Sequence, residues 1–205
     1  MSNQKERGLA LVELIIVVAI ALVIIGMAVP AFVSTRRNFR SITDASNVSG
    51  EILLAKMRAS SSFTQSRVYF DLAANTFRIE IWDKTASAWV IDAPSGEVSL
   101  SGDVSWGFGA QTNPPPGTQA AIAQAPACVP GASGASPGSA IASTACIVFN
   151  SRGIPIDTSA APAAENAIYI TDGTSVYATT MSITGHLQKW RIDVNDTDAT
   201  HWNER

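Results

Sequence analysis

Hydropathy along the chain falls into three regimes. From Leu9 to Pro30 nearly every position is apolar, and after Glu13 no charged side chain appears until Arg36. The 22 uncharged residues from Leu14 to Thr35 would make about 33 Å of helix at 1.5 Å per residue, enough to cross a bilayer. From Ala31 to Ser62 the pattern stays helical but turns amphipathic. Phe32, Phe39, Ile42, Leu53 and Met57 fall at heptad-like positions, with Ser46 and Ser49 in the gaps. Gly50 weakens this half by about 1 kcal/mol relative to alanine, and Ser60-Ser61-Ser62 marks its end.

A period of two then takes over. Residues 67–72 and 76–82 alternate apolar with polar around a turn at Ala73-Ala74-Asn75. Asp83 to Ala86 turns into a third strand, Trp89-Val90-Ile91. Further strands are expected at 97–100, 104–108, 146–149, 154–156, 167–171, 175–183 and 187–194. The expected class is α+β: a long N-terminal helix with a transmembrane first half (9–30). Its amphipathic half (31–62) would pack on an antiparallel β-sheet domain (63–205). Between Gly109 and Thr144, proline, glycine, alanine, serine and glutamine dominate. The insertion 109–145 therefore reads as a long irregular loop, poor in the apolar residues that offset ordering entropy. A mutation-tolerant insertion and a functional loop both fit that composition.

Charge adds an asymmetry. Residues 9–67 carry six basic and three acidic side chains; residues 68–205 carry six and thirteen, a net of −7. A surface this acidic argues against general nucleic-acid binding. Arg36, Arg37 and Arg40 follow the span closely, where positive charge normally marks the cytoplasmic side. Against them the short leader offers only Lys5, Arg7 and the amino terminus, so charge alone leaves the orientation open. Cys128 and Cys146 are the only cysteines. In an oxidising compartment an even count favours a disulfide, here closing a nineteen-residue loop; two separate thiols are the other reading.

The apolar run differs from an ordinary signal. A secretory signal has its small-residue cleavage site after the apolar region, whereas the candidate site here, Gly8-Leu9, precedes it. Glu13 places a carboxylate at membrane depth, which costs roughly 2.5–3.5 kcal/mol or more without a partner. Pro30 stands where membrane should give way to water, and is expected to break the helix. The residues G-L-A-L-V-E-L resemble the processing and methylation motif of type IV pilins and pseudopilins, with Pro30 matching that family's proline. The resemblance implies cleavage after Gly8 by a prepilin peptidase, removal of residues 1–8 and methylation of the amino terminus at Leu9. It also implies an assembly role for Glu13, paired with the amino terminus of a neighbouring subunit. Leu9 stands where the family usually has phenylalanine.

Later segments are similar to the GspH/FimT family of minor pseudopilins and minor pilins. They are L-L-A-K-M-R-A-S with S-R-V-Y-F-D, then I-V-F-N-S-R-G-I-P, then the closing strands with Gly185 at a recurrent glycine. This implies an inner-membrane, single-pass bacterial protein with its domain in the periplasm. Its partners would be other pilin subunits, the prepilin peptidase and an inner-membrane assembly platform. The role would be a structural subunit in or at the tip of a type IV pilus or a type II secretion pseudopilus. Some members of the family bind DNA through arginines after that glycine. Here the segment reads G-H-L-Q-K-W-R, so Lys189, Trp190 and Arg191 are the candidates for a DNA contact in an alternative, DNA-uptake role.

Nothing in the sequence assembles an enzyme or implies a cofactor. His186 and His201 lack metal-ligand partners at a useful spacing. Asp193, Asp196 and Asp198 do not follow the EF-hand pattern and read as a solvated tail. Trp82, Trp89, Trp106 and Trp190 are expected to fill a β core. The processing site yields the first prediction. Replacing Gly8 by a bulky residue should leave an uncleaved precursor, read by intact mass of the membrane fraction. An amino terminus at Leu9 in that variant would show the cleavage assignment to be wrong.

Overall fold

The computed structural model describes residues 3–134, 136–164, 166–196 and 198–204, with backbone alone for 3–10, 29–31, 33 and 34. The chain divides into two compact units, Met1–Phe39 and Arg40–Arg205. One helix, α1 (Asn3–Ser61), contributes to both. Pro30 does not break it, contrary to expectation. An interior proline removes one N–H donor and crowds the preceding turn, but bonds on either side can carry a helix past it. The side chains of Gly8, Leu9 and Pro30 lie outside the described residues. In the first unit, Leu11–Ala28 has a mean hydropathy of 3.0 and none of it is covered by protein. It is long and apolar enough to cross a membrane.

The second unit is the end of α1 with two antiparallel sheets, where the sequence suggested one. The first sheet takes β1 (Ser66–Asp71), β2 (Thr76–Asp83), β3 (Ala88–Ile91), β4 (Glu97–Ser99), β6 (Thr144–Phe149) and β7 (Pro155–Ile156). Its order is β3-β2-β1-β6-β7, with β4 also on β2. The second runs β11-β10-β9-β8-β5, from β5 (Ser105–Trp106), β8 (Asn166–Thr171), β9 (Ser175–Met181), β10 (Leu187–Asp193) and β11 (Asn203–Glu204). Periodicity located ten of these strands within a few residues. It could not assign them to sheets, because the chain crosses from the first to the second at β5, returns at β6, and crosses again at β8.

The main core lies between α1 and the inner faces of both sheets. Val48, Ile52, Ala55 and Ala59 meet Val68, Phe70, Phe77, Ile79, Ile147 and Phe149 from the first sheet, and Ile168, Ile170, Tyr177 and Met181 from the second. The buried face of the helix is not the one its large residues suggested. Leu53 and Met57 are 49% and 53% exposed, and Phe32 and Phe39 are exposed too; only Ile42 of that set packs on the core. Two sheets approaching one helix leave room for small side chains, and Ser41, Asp44, Val48, Ile52, Ala55 and Ala59 supply the 3.6-residue stripe.

Residues 109–143 contain no helix or strand among those described. They are nevertheless built into the domain, unlike the tolerant insertion that composition allowed. The Gln124 amide accepts from Tyr169 N and donates to Tyr169 O, both at 2.9 Å, and Ala125 N donates to Ala167 O. These bonds close the open edge of β8. One residue on, Pro126 O accepts from Cys146 N of β6 in the other sheet. The disulfide Cys128–Cys146 then fixes the segment to β6, with a Cα–Cα distance of 4.9 Å. Five residues thus join the two sheets. Replacing both cysteines by alanine should cost about 3 kcal/mol by loss of the loop constraint, lowering the melting temperature by about 6–12 °C. Calorimetry of the oxidised protein and the variant would measure it, and alkylation without reduction should label neither cysteine of the native chain.

Candidate functional site

Two regions carry the chemistry of this chain: the apolar run with its one carboxylate, and the polar contacts that seat α1. Glu13 is the only charged residue in Leu11–Ala28. Its side chain is exposed, as are Val12 and Leu14 beside it at 53% and 65%.

The seat begins at Ser41, whose hydroxyl donates to Asp172 Oδ2 at 2.6 Å in the β8–β9 turn. The other carboxylate oxygen accepts from Thr174 N, Thr174 Oγ1 and Ser175 N. Burial alone would raise the Asp172 carboxyl, but these hydrogen bonds outweigh it and hold the group below the ordinary carboxylate value. A turn further along α1, Asp44 accepts from Ser101 N at 2.9 Å, and the hydroxyls of Ser49 and Thr179 are 3.1 Å apart. Lys56 donates to Gly185 O at 2.9 Å. Gly153 and Gly185 both take φ +74°, and a Cβ on either would stand 2.9–3.1 Å from the Lys56 side chain. Those two turns need glycine for backbone and space alike.

Sequence reasoning missed a second network, on the outer face of the first sheet. The Arg67 guanidinium donates to Glu80 at 2.6 Å and to Val129 O, and lies 4.3 Å from the centre of the Trp89 ring. Arg78 bonds the other Glu80 oxygen at 2.8 Å and covers Tyr69 at 4.2 Å. Burial pulls Arg67 below its ordinary value, against the opposing field of Glu80. The signal was legible as alternation, since 67, 69, 78 and 80 are the outward positions of paired strands. The cover over them was not.

The three DNA-contact candidates do not form one platform. On β10, Trp190 faces the second hydrophobic cluster and donates its indole N–H to Thr180. Lys189 and Arg191 alternate to the opposite face, where Arg191 donates to Ser175 and lies over Tyr177. In the acidic tail, His201 bonds Asp196 at 2.8 Å, and the two aspartates beside it, 196 and 198, raise its pKa. This tail is more than solvated chain: Trp202 is 5% exposed and packs edge-on against Tyr169. His186 is exposed. Trp82 and Trp89 are half-buried outside the core, whereas Trp106 packs on the main core as expected, edge-on to Phe70 and Phe77. Among the described residues, no group of three or more His, Cys, Asp or Glu side chains is placed to hold a metal ion. No family model, curated protein or solved structure matches this chain.

The lowered pKa of Asp172 fixes the sign of a pH effect. Its contribution to stability is full above the unfolded carboxylate value near 4 and is lost as pH falls through the lower folded value. Ser41→Ala should lower stability at pH 7 by about 1–3 kcal/mol by leaving a buried carboxylate short of a donor. Asp172→Asn should flatten the acid limb of a thermal-melt series from pH 7 to pH 2.

Proposed function

We propose that this chain is a pilin-like subunit of the bacterial inner membrane. It would be incorporated as a minor component into, or at the tip of, a type IV pilus or a type II secretion pseudopilus. The observation that carries the reading is the uncovered apolar helix Leu11–Ala28 with one carboxylate near its front. The same helix continues to Ser61 and seats a disulfide-bonded β domain on its last turns.

The physical course of assembly follows. Cleavage after Gly8 frees the amino group of Leu9, four residues before Glu13. The same helix could pair the two groups internally, but only a pair between staggered subunits couples the charge to registry. A carboxylate in hydrocarbon strongly favours such a partner. The periplasmic domain travels with the helix, and its exposed Leu53 and Met57 remain free for neighbouring helices. A DNA-uptake role has less support, because Trp190 is turned away from Lys189 and Arg191 and the exported part is acidic.

Glu13→Ala tests the reading. Membrane insertion and cleavage should be unaffected, while incorporation into filaments should fall by at least tenfold, as expected for truncating one partner of a desolvated charge pair worth about 2–5 kcal/mol. Crosslinking of subunits before and after extrusion, with wild-type partners present, measures it. Normal incorporation of the alanine variant would remove Glu13 as the registering group.

A further inference from the structure

A cleft of about 350 Å³ opens where α1 ends, lined by Phe63, Gln65, Trp82, Lys84, Asn150 and Ser151 among others. Its most telling residue is Phe63. Ser62 N donates to Arg58 O at 2.9 Å and Thr64 N to Ala59 O at 3.4 Å, closing the helix. Between them Phe63 takes φ +50°. That left-handed position at a helix end is ordinarily glycine or asparagine, and a bulky side chain there is strained. The ring is also 76% exposed, more than any large apolar side chain of Leu11–Ala28. Backbone and solvent both count against phenylalanine here, and glycine would close the helix at least as well. A large apolar side chain exposed at a strained backbone position marks a surface suited to binding.

The rest of the cleft says what it would bind. Trp82 is half-buried and braced edge-on by Trp89, ring centres 5.3 Å apart, so a second aromatic surface is held in place. Gln65 is spent on Ser133, accepting from its N–H and donating to its carbonyl, both at 2.9 Å, and acts as fixed wall. Asn150 Oδ1 accepts from Arg152 N and Ile154 N, which orients the amide with its NH₂ group left to donate. Ser151 offers an exposed hydroxyl. Lys84 donates to Phe63 O at 3.0 Å and has two further N–H groups.

Two aromatic surfaces ringed by donors match a ligand with an apolar face and a rim of acceptors. A pyranose has both: its C–H face stacks, and hydroxyls surround it on several sides. A proline ring also stacks, but brings only one carbonyl per residue. A nucleobase would bring phosphates toward an exposed Asp83 and a domain of net −7 over residues 68–205. We propose that this cleft binds a pyranose unit of a neutral glycan, with Phe63 and Trp82 as the platform and Lys84, Asn150 and Ser151 as donors to its hydroxyls. The site is independent of the assembly reading and stands or falls without it.

The test uses the full chain in a detergent without a sugar headgroup, titrated with cellopentaose, maltoheptaose and chitotetraose by calorimetry and saturation-transfer NMR. At least one should bind with Kd below about 1 mM. Phe63→Gly should weaken that binding tenfold or more while its melting temperature holds or rises by about 2 °C; Phe63→Tyr should keep it. The proposal is overturned if none of the three binds, or if Phe63→Gly binds as tightly as the native chain. It is equally overturned if a dT12 oligonucleotide or a nonaproline peptide binds in their place. A Phe63→Gly chain that loses several degrees of stability together with binding would make Phe63 a packing residue and reject the platform.

Discussion

The close seating of α1 between two sheets is the constraint on which the globular part depends. Val48, Ile52, Ala55 and Ala59 are at most 1% exposed, and they touch side chains from both sheets. Such proximity excludes bulk from the helix face and exposes any unpaired polar group to a low dielectric. Polar residues on and beside the stripe bond across the seam: Ser41 with Asp172, Asp44 with Ser101, and Ser49 with Thr179. Lys56 completes the seat against a backbone carbonyl, which is why two facing turns are glycine. Leu53 and Met57 of the same helix are turned outward by this geometry.

The outer faces of the sheets are treated differently. The first carries an Arg67–Glu80–Arg78 chain roofed by the segment that includes Val129. A buried arrangement of this kind adds little net stability over an apolar one, but removing one partner is expensive. Its effect is to fix how the irregular segment lies. The second sheet is closed by Gln124 at one edge and by β11 at the other, with Trp202 plugging the cluster around Tyr169. A stretch without regular structure is thereby ordered by side-chain amides, a disulfide and two backbone bonds to strand edges.

These features divide the labour within the chain. The apolar run is long enough to cross a membrane and carries a single carboxylate. The domain needs only the last five turns of α1 as its core. The end of that helix then presents the strained Phe63 beside Trp82, at the far end of α1 from the apolar run along the sequence.

The sequence by itself determined what local periodicity and composition can encode. The apolar run, ten of the strands, the helix end at Ser61 and the irregular character of 109–143 were all legible, because each depends on neighbours within a few residues. With only two cysteines the sequence allowed a single pairing, and the structure forms it. Tertiary structure alone decided the division into two sheets, since hydrophobic alternation records that a face is buried but not against what. It also decided which face of α1 is buried: Leu53 and Met57 carried the stronger hydrophobic signal, yet close packing selected Ala55 and Ala59. Trp190 was separated from its cationic neighbours by strand alternation once β10 had a cluster behind it. The buried Arg67 could not be read as buried, because the cover that desolvates it comes from 62 residues further along the chain.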